Sequence, residues 1–575
     1  VQTFDYTTLT AVCSDLRNHW IPSRLEQVYQ RDRFTISIAL RTLQGRDWLE
    51  ISWHPQAARI HIGDPPPRVP DTFTFSQQLF HQLGSLALVE VKAIAPWERA
   101  IDLQFAKRPG ETPLYHLYVE IMGKYSNVIL TDANNTIITV AHQVNERQSS
   151  VRPILTGQRY ETPPTMTGTA PSLTETQERW QERVSLVPGA IKRQILKSYR
   201  GASPAIAQSL LQAAQLDLEI TTDALTSSDW QNLFIYWQKW LKVIEEENFH
   251  PAENSTGYTV LGWDTTTKVS NIQELLNHYY TNQLNYQKFS QLKQQLQQKL
   301  NNLLEKLQQK AQTFTERLQQ SDKADEYRQK ADLLMAYLHT WEPGMTEMIL
   351  ADFATGEPVK ITLEPDKNAV LNAQTLYKQH QKLKRARTAV EPLLAEVNLE
   401  LTYLEQVEAA ISQMENYQTT EDLQTLAEIR EELIQQRYLE DPEYRNRNPS
   451  ETSINFHRYQ TPNGFEVLIG RNNRQNDQLT FRVAGDYDLW FHAQEIPGSH
   501  VLLRLKPGSV ADDTDLNFTA NIAAYYSRAR HSEQVPVVYT QPKHVYKPKG
   551  AKPGLAIYKQ ERILWGQPQL VKGKG

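Results

Sequence analysis

The stretch DLWFHAQEIPGSHVLLR, Asp488 to Arg504, decides how the C-terminal part of this chain is read. Leu489, Trp490 and Phe491 favour a strand, Pro497-Gly498 marks a turn, and Val501 to Leu505 resumes an apolar strand. His492, Ser499 and His500 lie between them. Just upstream, Gly470-Arg471-Asn472-Asn473 and then Asn476-Asp477 suit tight turns between strands. The same residue types suit RNA. Asparagine donates and accepts, arginine grips phosphate, and tryptophan or histidine stacks on a splayed base. Ordinary packing in a small β domain is the alternative for the two histidines, and Trp490 reads as core.

Beyond this stretch, the end of the chain is basic. From Gln541 onward, Lys543, Lys547, Lys549, Lys552, Lys559, Arg562, Lys572 and Lys574 are opposed only by Glu561, on a chain of net charge −5. A local basic patch on an acidic protein is the footprint of focused polyanion binding, against the alternative of a solvated lysine-rich end. A chain of 575 residues exceeds one hydrophobic core and implies several domains. Hydrophobic residues at 40% and charged residues at 22% read as globular. No apolar run reaches the roughly 18 residues of a membrane span. The opening VQTFDYTTLTAVCSDLRNHW lacks the layout of a secretory signal, and Cys13 is the single cysteine. No internal disulfide or cysteine zinc site is available, which points to the cytoplasm.

Four segments follow from periodicity. Residues 1–165 read as a mixed α/β domain. Thr7 to Asn18 has helical spacing, and strands are expected in Arg24–Leu43, Trp48–Trp53, Arg59–Ile62, Tyr115–Met122 and Asn127–Leu130. Residues 170–250 read as helical, with ILKSYRGASPAIAQSLL placing two apolar helices around Gly201. A helix-hairpin-helix uses that layout, its glycine letting backbone N–H groups face a phosphate. Residues 270–425 carry two seams, Phe289 to Leu307 and Val390 to Met414, at three- and four-residue steps. With a small β hairpin module at 341–365 between them, they predict a long antiparallel coiled-coil arm. Residues 445–565 form the α/β C-terminal domain and 566–575 a basic tail. The fold class is multidomain α+β.

No Walker loop, G-x-S-x-G elbow, H-E-x-x-H helix or paired-cysteine metal site is present, and His54 and His61 are a weak candidate for a metal. No catalytic residue, metal or cofactor is expected, and the chain reads as a binding protein that positions other molecules.

The runs GFEVLIGRNNRQNDQLT, DLWFHAQEIPGSHVLLR, AAYYSRAR and HVYKPKGAKPGLAIY, in that order, resemble the C-terminal RNA-binding domain of the NFACT family, in its bacterial RqcH-type branch. FDYTTL near the start, SWHPQAARIHI from Ser52, VEIMGKYSNVILTD from Val119 and LEPDKNAVLNAQTLYKQHQKLKRA in the middle extend the resemblance over nearly the whole chain. It implies an N-terminal domain with the fold of formamidopyrimidine-type DNA glycosylases. This chain begins Val1-Gln2-Thr3 and has one cysteine, so their proline nucleophile and zinc finger are missing and that activity is rejected.

The role implied is that of a cytoplasmic ribosome-associated quality-control factor, monomeric on the ribosome. Such a factor binds the large ribosomal subunit carrying obstructed peptidyl-tRNA and recruits tRNA, alanyl-tRNA in this branch. An untemplated tail then marks the stalled chain for degradation, with the ribosome making the bonds. The family's Asp-Arg pair for tRNA recruitment corresponds here to Glu98-Arg99, glutamate standing for aspartate. Asp5 matches a second acidic position, and Glu120, Ile121, Met122, Lys124 and Asn127 complete the tRNA-facing candidates, with Ile121 and Met122 reading alternatively as strand interior. In the C-terminal domain the RNA contacts expected are Arg471, Asn472, Asn473, His492, His500, Arg504, Lys543, Lys547, Lys549 and Lys552. The competing reading is a surface adhesin that binds fibronectin or fibrinogen.

Overall fold

The structure, a computed structural model, describes all residues except 68–69, 150, 255–256, 264–266, 441–454 and 572–575. It comprises two compact units, Val1–Leu284 and Asn285–Gly575.

The first unit opens with helix α1 (Tyr6–His19), capped by Asp5, whose Oδ1 accepts from the Thr8 amide at 2.8 Å. The apolar face expected from spacing, Leu9, Val12 and Leu16, is buried. Strands β1 (Ser23–Asp32), β2 (Thr35–Arg41), β3 (Arg46–Ser52) and β4 (Arg59–Gly63) follow, then helix α2 (Thr74–Leu83). After them come β5 (Ala87–Ala93), β6 (Ala100–Ala106), β7 (Tyr115–Glu120), β8 (Asn127–Asp132) and β9 (Ile137–Val140). They make one sheet in the order β4-β3-β2-β1-β5-β6-β7-β8-β9, antiparallel at each pairing. The sequence reading places no strand at β5, β6 or β9. In β6, Ile101, Leu103 and Phe105 alternate with Asp102 and Gln104, and Asp102 is nonetheless buried, its Oδ2 meeting His116 Nδ1 at 2.8 Å and Gln104 Nε2 at 2.7 Å.

Helices α3 (Gln177–Ser185), α4 (Ile191–Ser198), α5 (Pro204–Ala213) and α6 (Ser227–Glu245) form a second core around Trp180, Trp230, Trp237 and Trp240. Ser203 caps α5, and a Thr226–Asp229 capping box starts α6. A small sheet of β10 (Ala252–Asn254), β11 (Gly257–Thr259) and β12 (Thr267–Lys268) leads to helix α7 (Ile272–Ser321), whose first turns bury Leu275, Leu276 and Tyr280 in the N-terminal core.

The rest of α7, with α8 (Ala324–Ala336), the hairpin β13 (Glu347–Ala351) and β14 (Pro358–Thr362), and helices α9 (Ala369–Gln413) and α10 (Thr420–Gln435), begins the second unit. The 50 residues of α7 span about 75 Å at 1.5 Å per residue. The two long helices run antiparallel. Lys293 on α7 donates to the Met414 carbonyl just past α9, whereas Asp322 past the end of α7 accepts from Arg387 in the first half of α9. Phe289, Leu296 and Leu300 pack on Tyr403, Leu404, Val407 and Ile411, and α10 adds Leu426, Ile429 and Leu433. The hairpin buries alternate residues, Met348, Leu350 and Ile361, against α8 and α9.

The C-terminal sheet contains β15 (His457–Gln460), β16 (Glu466–Ile469), β17 (Leu489–Ala493), β18 (Val501–Leu503), β19 (Val535–Thr540) and β22 (Arg562–Gly566), in the order β15-β16-β18-β17-β19-β22. Helix α11 (Asn473–Gln478) lies between β16 and β17, α12 (Asp513–Tyr525) before β19, and the ribbon β20 (Val545–Tyr546) with β21 (Ile557–Tyr558) before β22. One face packs on α12 through Phe491, Val501 and Ala520, and the other holds Trp490, Leu468, Leu502 and Val538. Strands appear where the opening stretch predicts them, and Trp490 is core.

The tight turns expected at 470–477 are instead a capped helix. Asn472 Oδ1 accepts from the Gln475 amide at 2.9 Å, so the asparagines that suit a turn here start α11. Only part of the expected basic tail falls within the described residues. Gly566 ends β22 and Pro568 is buried beside α12, while Lys572 and Lys574 lie outside the described residues.

Candidate nucleic-acid interface

In the first unit the chain gathers several predicted residues at one end of β6, β7 and β8. Ala100 pairs with Glu120, Glu120 pairs with Asn127, and the Ile121 amide donates to the Arg99 carbonyl at 2.8 Å. Arg99 is half-buried, and its Nη1 reaches the Phe4 carbonyl at 3.4 Å. Burial draws its pKa below the usual arginine range, opposed by the nearby charges of Asp5 and Glu98. Glu98 is buried and accepts the Met166 amide at 2.9 Å, so it tethers the following segment rather than facing solvent. Asp5 is buried too: it holds Thr8, and its Oδ2 accepts from the Ser203 hydroxyl at 2.5 Å. Trp97, Tyr6 and Ser203 join this site without a signal in the sequence pattern. The rings of Tyr6 and Trp97 lie 4.9 Å apart, and Trp97 meets Trp240 at 5.6 Å.

The remaining candidates of this unit separate by exposure. Glu120 is buried and grips Arg152 through two bonds of 2.9 and 2.6 Å, with the Tyr160 hydroxyl donating at 2.9 Å. Asn127 is buried, bracing the His142 backbone, and Ile121 lies in the core. Glu120 and Asn127 are thus turned inward, a correction to the tRNA-facing position expected of them, and Ile121 lies in the strand interior as its alternative reading has it. Lys124 is exposed over the ring of Tyr125, which is itself 71% exposed, and Met122 is half-buried beside them.

Gly201 has φ +79°, and a Cβ there would stand 2.6 Å from the Trp97 ring. The glycine expected to open backbone N–H groups to a phosphate is instead buried against Trp97. Gly201→Ala combines a left-handed conformation with a clash against an aromatic ring. It is expected to lose about 2 kcal/mol or more in chemical denaturation.

In the C-terminal domain Asn472, Asn473, His492 and His500 are buried, and Arg471 is nearly so, with 9% of its side chain exposed. This corrects their expected exposure: none of the five reaches a phosphate in this conformation. Asn472 donates to Glu428 at 2.7 Å and Asn473 to Glu432 at 3.2 Å, both on α10. Thr480 Oγ1 links His500 Nδ1 at 2.7 Å to Trp490 Nε1 at 3.0 Å. Arg504 pairs with Asp488 at 3.0 Å, Lys547 pairs with Asp477, and Lys552 lies over Tyr438 and donates to its hydroxyl at 2.6 Å. Lys543 and Lys549 are exposed.

Burial lowers the pKa of His492 to about 4 and of His500 to about 3, from an ordinary 6.5. The folded domain therefore holds both neutral, and the unfolded chain takes up protons first as pH falls. Their stabilisation is complete above pH 6.5 and is lost progressively toward pH 4 for His492 and pH 3 for His500. Thermal unfolding between pH 6.5 and 5 should show a slope approaching about 1.4 kcal/mol per pH unit for each histidine, reduced in His500→Gln.

A family model for the NFACT N-terminal and middle domains matches residues 5–452, and a model for the NFACT protein RNA-binding domain matches residues 455–559. The chain is thus a multidomain RNA-binding protein. It belongs to the NFACT family. A curated relative from Bacillus subtilis (strain 168), named Rqc2 homolog RqcH, is 28% identical over 578 residues, covering 98% of each chain. A relative of the same name from Streptococcus pneumoniae is 29% identical over 585 residues, covering 99% of this chain and 98% of that one. A solved structure of the C-terminal part of a fibronectin/fibrinogen-binding protein from Streptococcus suis is 31% identical. It covers 49% of this chain and 95% of that chain, with a TM-score of 0.37. Among the described residues no helix is long and apolar enough to cross a membrane.

Proposed function

We propose that this protein is a ribosome-associated quality-control factor, which binds the large ribosomal subunit with obstructed peptidyl-tRNA and recruits tRNA for untemplated C-terminal tailing of the stalled chain. The observation that carries the reading is the near full-length match to RqcH proteins together with the NFACT RNA-binding domain. Alanyl-tRNA is the species proposed, and bond formation is left to the ribosome. Arg99 is the residue proposed to contact tRNA, with Lys124, Tyr125 and Met122 on the neighbouring surface, and Asp5 and Glu98 holding the arginine's surroundings. Exposed Lys543 and Lys549 bind phosphate. The arm, with helices tens of ångströms long, suits grip on a large particle better than capture of a small molecule. The test is sedimentation of tagged protein from lysate. Co-migration with large subunits that carry peptidyl-tRNA supports the reading, and recovery only from the cell exterior, as the adhesin reading requires, sinks it.

A further inference from the structure

Four arginines of the C-terminal domain find their anionic partners on the arm. Arg471 lies 3.0 Å from Glu421, Arg474 3.2 Å from Glu431, Arg528 2.7 Å from Glu408 and Arg530 3.4 Å from Glu415. Glu428 adds a carboxylate between them, accepting from Asn472 at 2.7 Å and Gln475 at 3.0 Å. Thus α10, the end of α9 and the segment between them lay a line of carboxylates beside Arg471 and Asn472, which the sequence marks for RNA.

The contact is polar and incompletely satisfied. Glu432 Oε2, Arg471 Nε and Arg530 Nε have no hydrogen-bond partner among the described residues of the protein, and Arg471 Nη1 lies 3.9 Å from Asp422. The apolar clusters of the arm and of the domain remain separate among the described residues. Buried polar groups in a permanent interface are normally all paired. A guanidinium fork fits phosphate as well as carboxylate, and two of these pairs are open to water, with Arg474 30% and Arg528 42% exposed.

We propose that Arg471, Arg474, Arg528 and Arg530 are a phosphate-binding surface that the carboxylates of α9 and α10 occupy while no RNA is bound. RNA displaces the helices, releasing its counterions as it does so. The inference rests on the RNA-binding reading of the domain, and names the surface and what controls access to it.

The test uses the full chain and a labelled oligouridine, with affinity measured against salt. Glu421→Gln, Glu428→Gln and Glu431→Gln together should tighten binding about tenfold and steepen the salt dependence by roughly 0.7 for each additional phosphate neutralised. In that background Arg474→Ala with Arg528→Ala should weaken binding far more than the same pair does in the wild type. A second variant, Asn472→Cys with Glu428→Cys, locks the helices on the domain when oxidised. Oxidised protein should bind about tenfold more weakly and recover on reduction. Wild-type binding with no change in the neutralised variant or on locking overturns the masking, though the domain still binds RNA. Absence of binding in all forms at low salt overturns the RNA reading itself, and the masking with it.

Discussion

Replacing Arg99 by alanine is expected to remove tRNA from the tagged protein recovered from lysate while large subunits remain bound. Arg99 lies just before β6, against the turn that follows β7, with one long bond to the Phe4 carbonyl. Its guanidinium is held near two carboxylates, Asp5 and Glu98, each of which is engaged elsewhere. A half-buried cation with donors left over is preorganised for a phosphate or for the face of a base. Loss of charge-assisted bonds worth about 1.5–3 kcal/mol corresponds to roughly a 10- to 100-fold fall in tRNA affinity. The measurement is sequencing of co-purified tRNA, wild type beside Arg99→Ala, normalised to large-subunit RNA. Equal enrichment of one tRNA species in both would remove Arg99 from the site. Arg99→Lys keeps the charge without the planar fork, so it should fall between the two.

Glu120→Ala should act on the fold, and more strongly than any surface change. Its carboxylate is buried and grips Arg152, whose side chain is only 12% exposed, and Tyr160 donates to the same oxygen. Removing it leaves a guanidinium buried without its counter-charge, a change that costs about 3–5 kcal/mol. Tyr160 stacks on Tyr118 at 3.8 Å and packs under Arg152, so the loss also loosens that stack. Denaturant unfolding followed by tryptophan fluorescence should show a lower midpoint for the first unit. A variant with wild-type stability and impaired tRNA recovery would instead return Glu120 to the tRNA-facing surface.

These two residues show how far the sequence was legible. Both belong to motifs read from the chain, yet only their environments separate the proposed tRNA contact from an internal brace. Arg99 keeps donors at the surface, whereas Glu120 is sealed by an arginine 32 residues away. No spacing rule encodes that partnership. Glu98 illustrates the same point. It stands where the family resemblance expects an aspartate, keeping the charge with a carboxylate one methylene further out, and its oxygen reaches the Met166 amide 68 residues on. In the C-terminal domain, Asn472 and Asn473 have the chemistry for RNA and use it on Glu428 and Glu432.

The sequence by itself determined the elements whose signal is local. The seams of α7 and α9 follow from leucine spacing, the β13–β14 hairpin from the short segment between them, and β17 and β18 from apolar runs broken by Pro497-Gly498. Those depend on nearest neighbours and on 3.6- or two-residue periods, which a chain carries in its own order. Tertiary structure alone decided which polar side chains face outward. Burial of Asp5, Glu120, His492 and His500 depends on partners far along the chain, and the same hydrogen-bonding groups serve a ligand or the fold according to what packs against them.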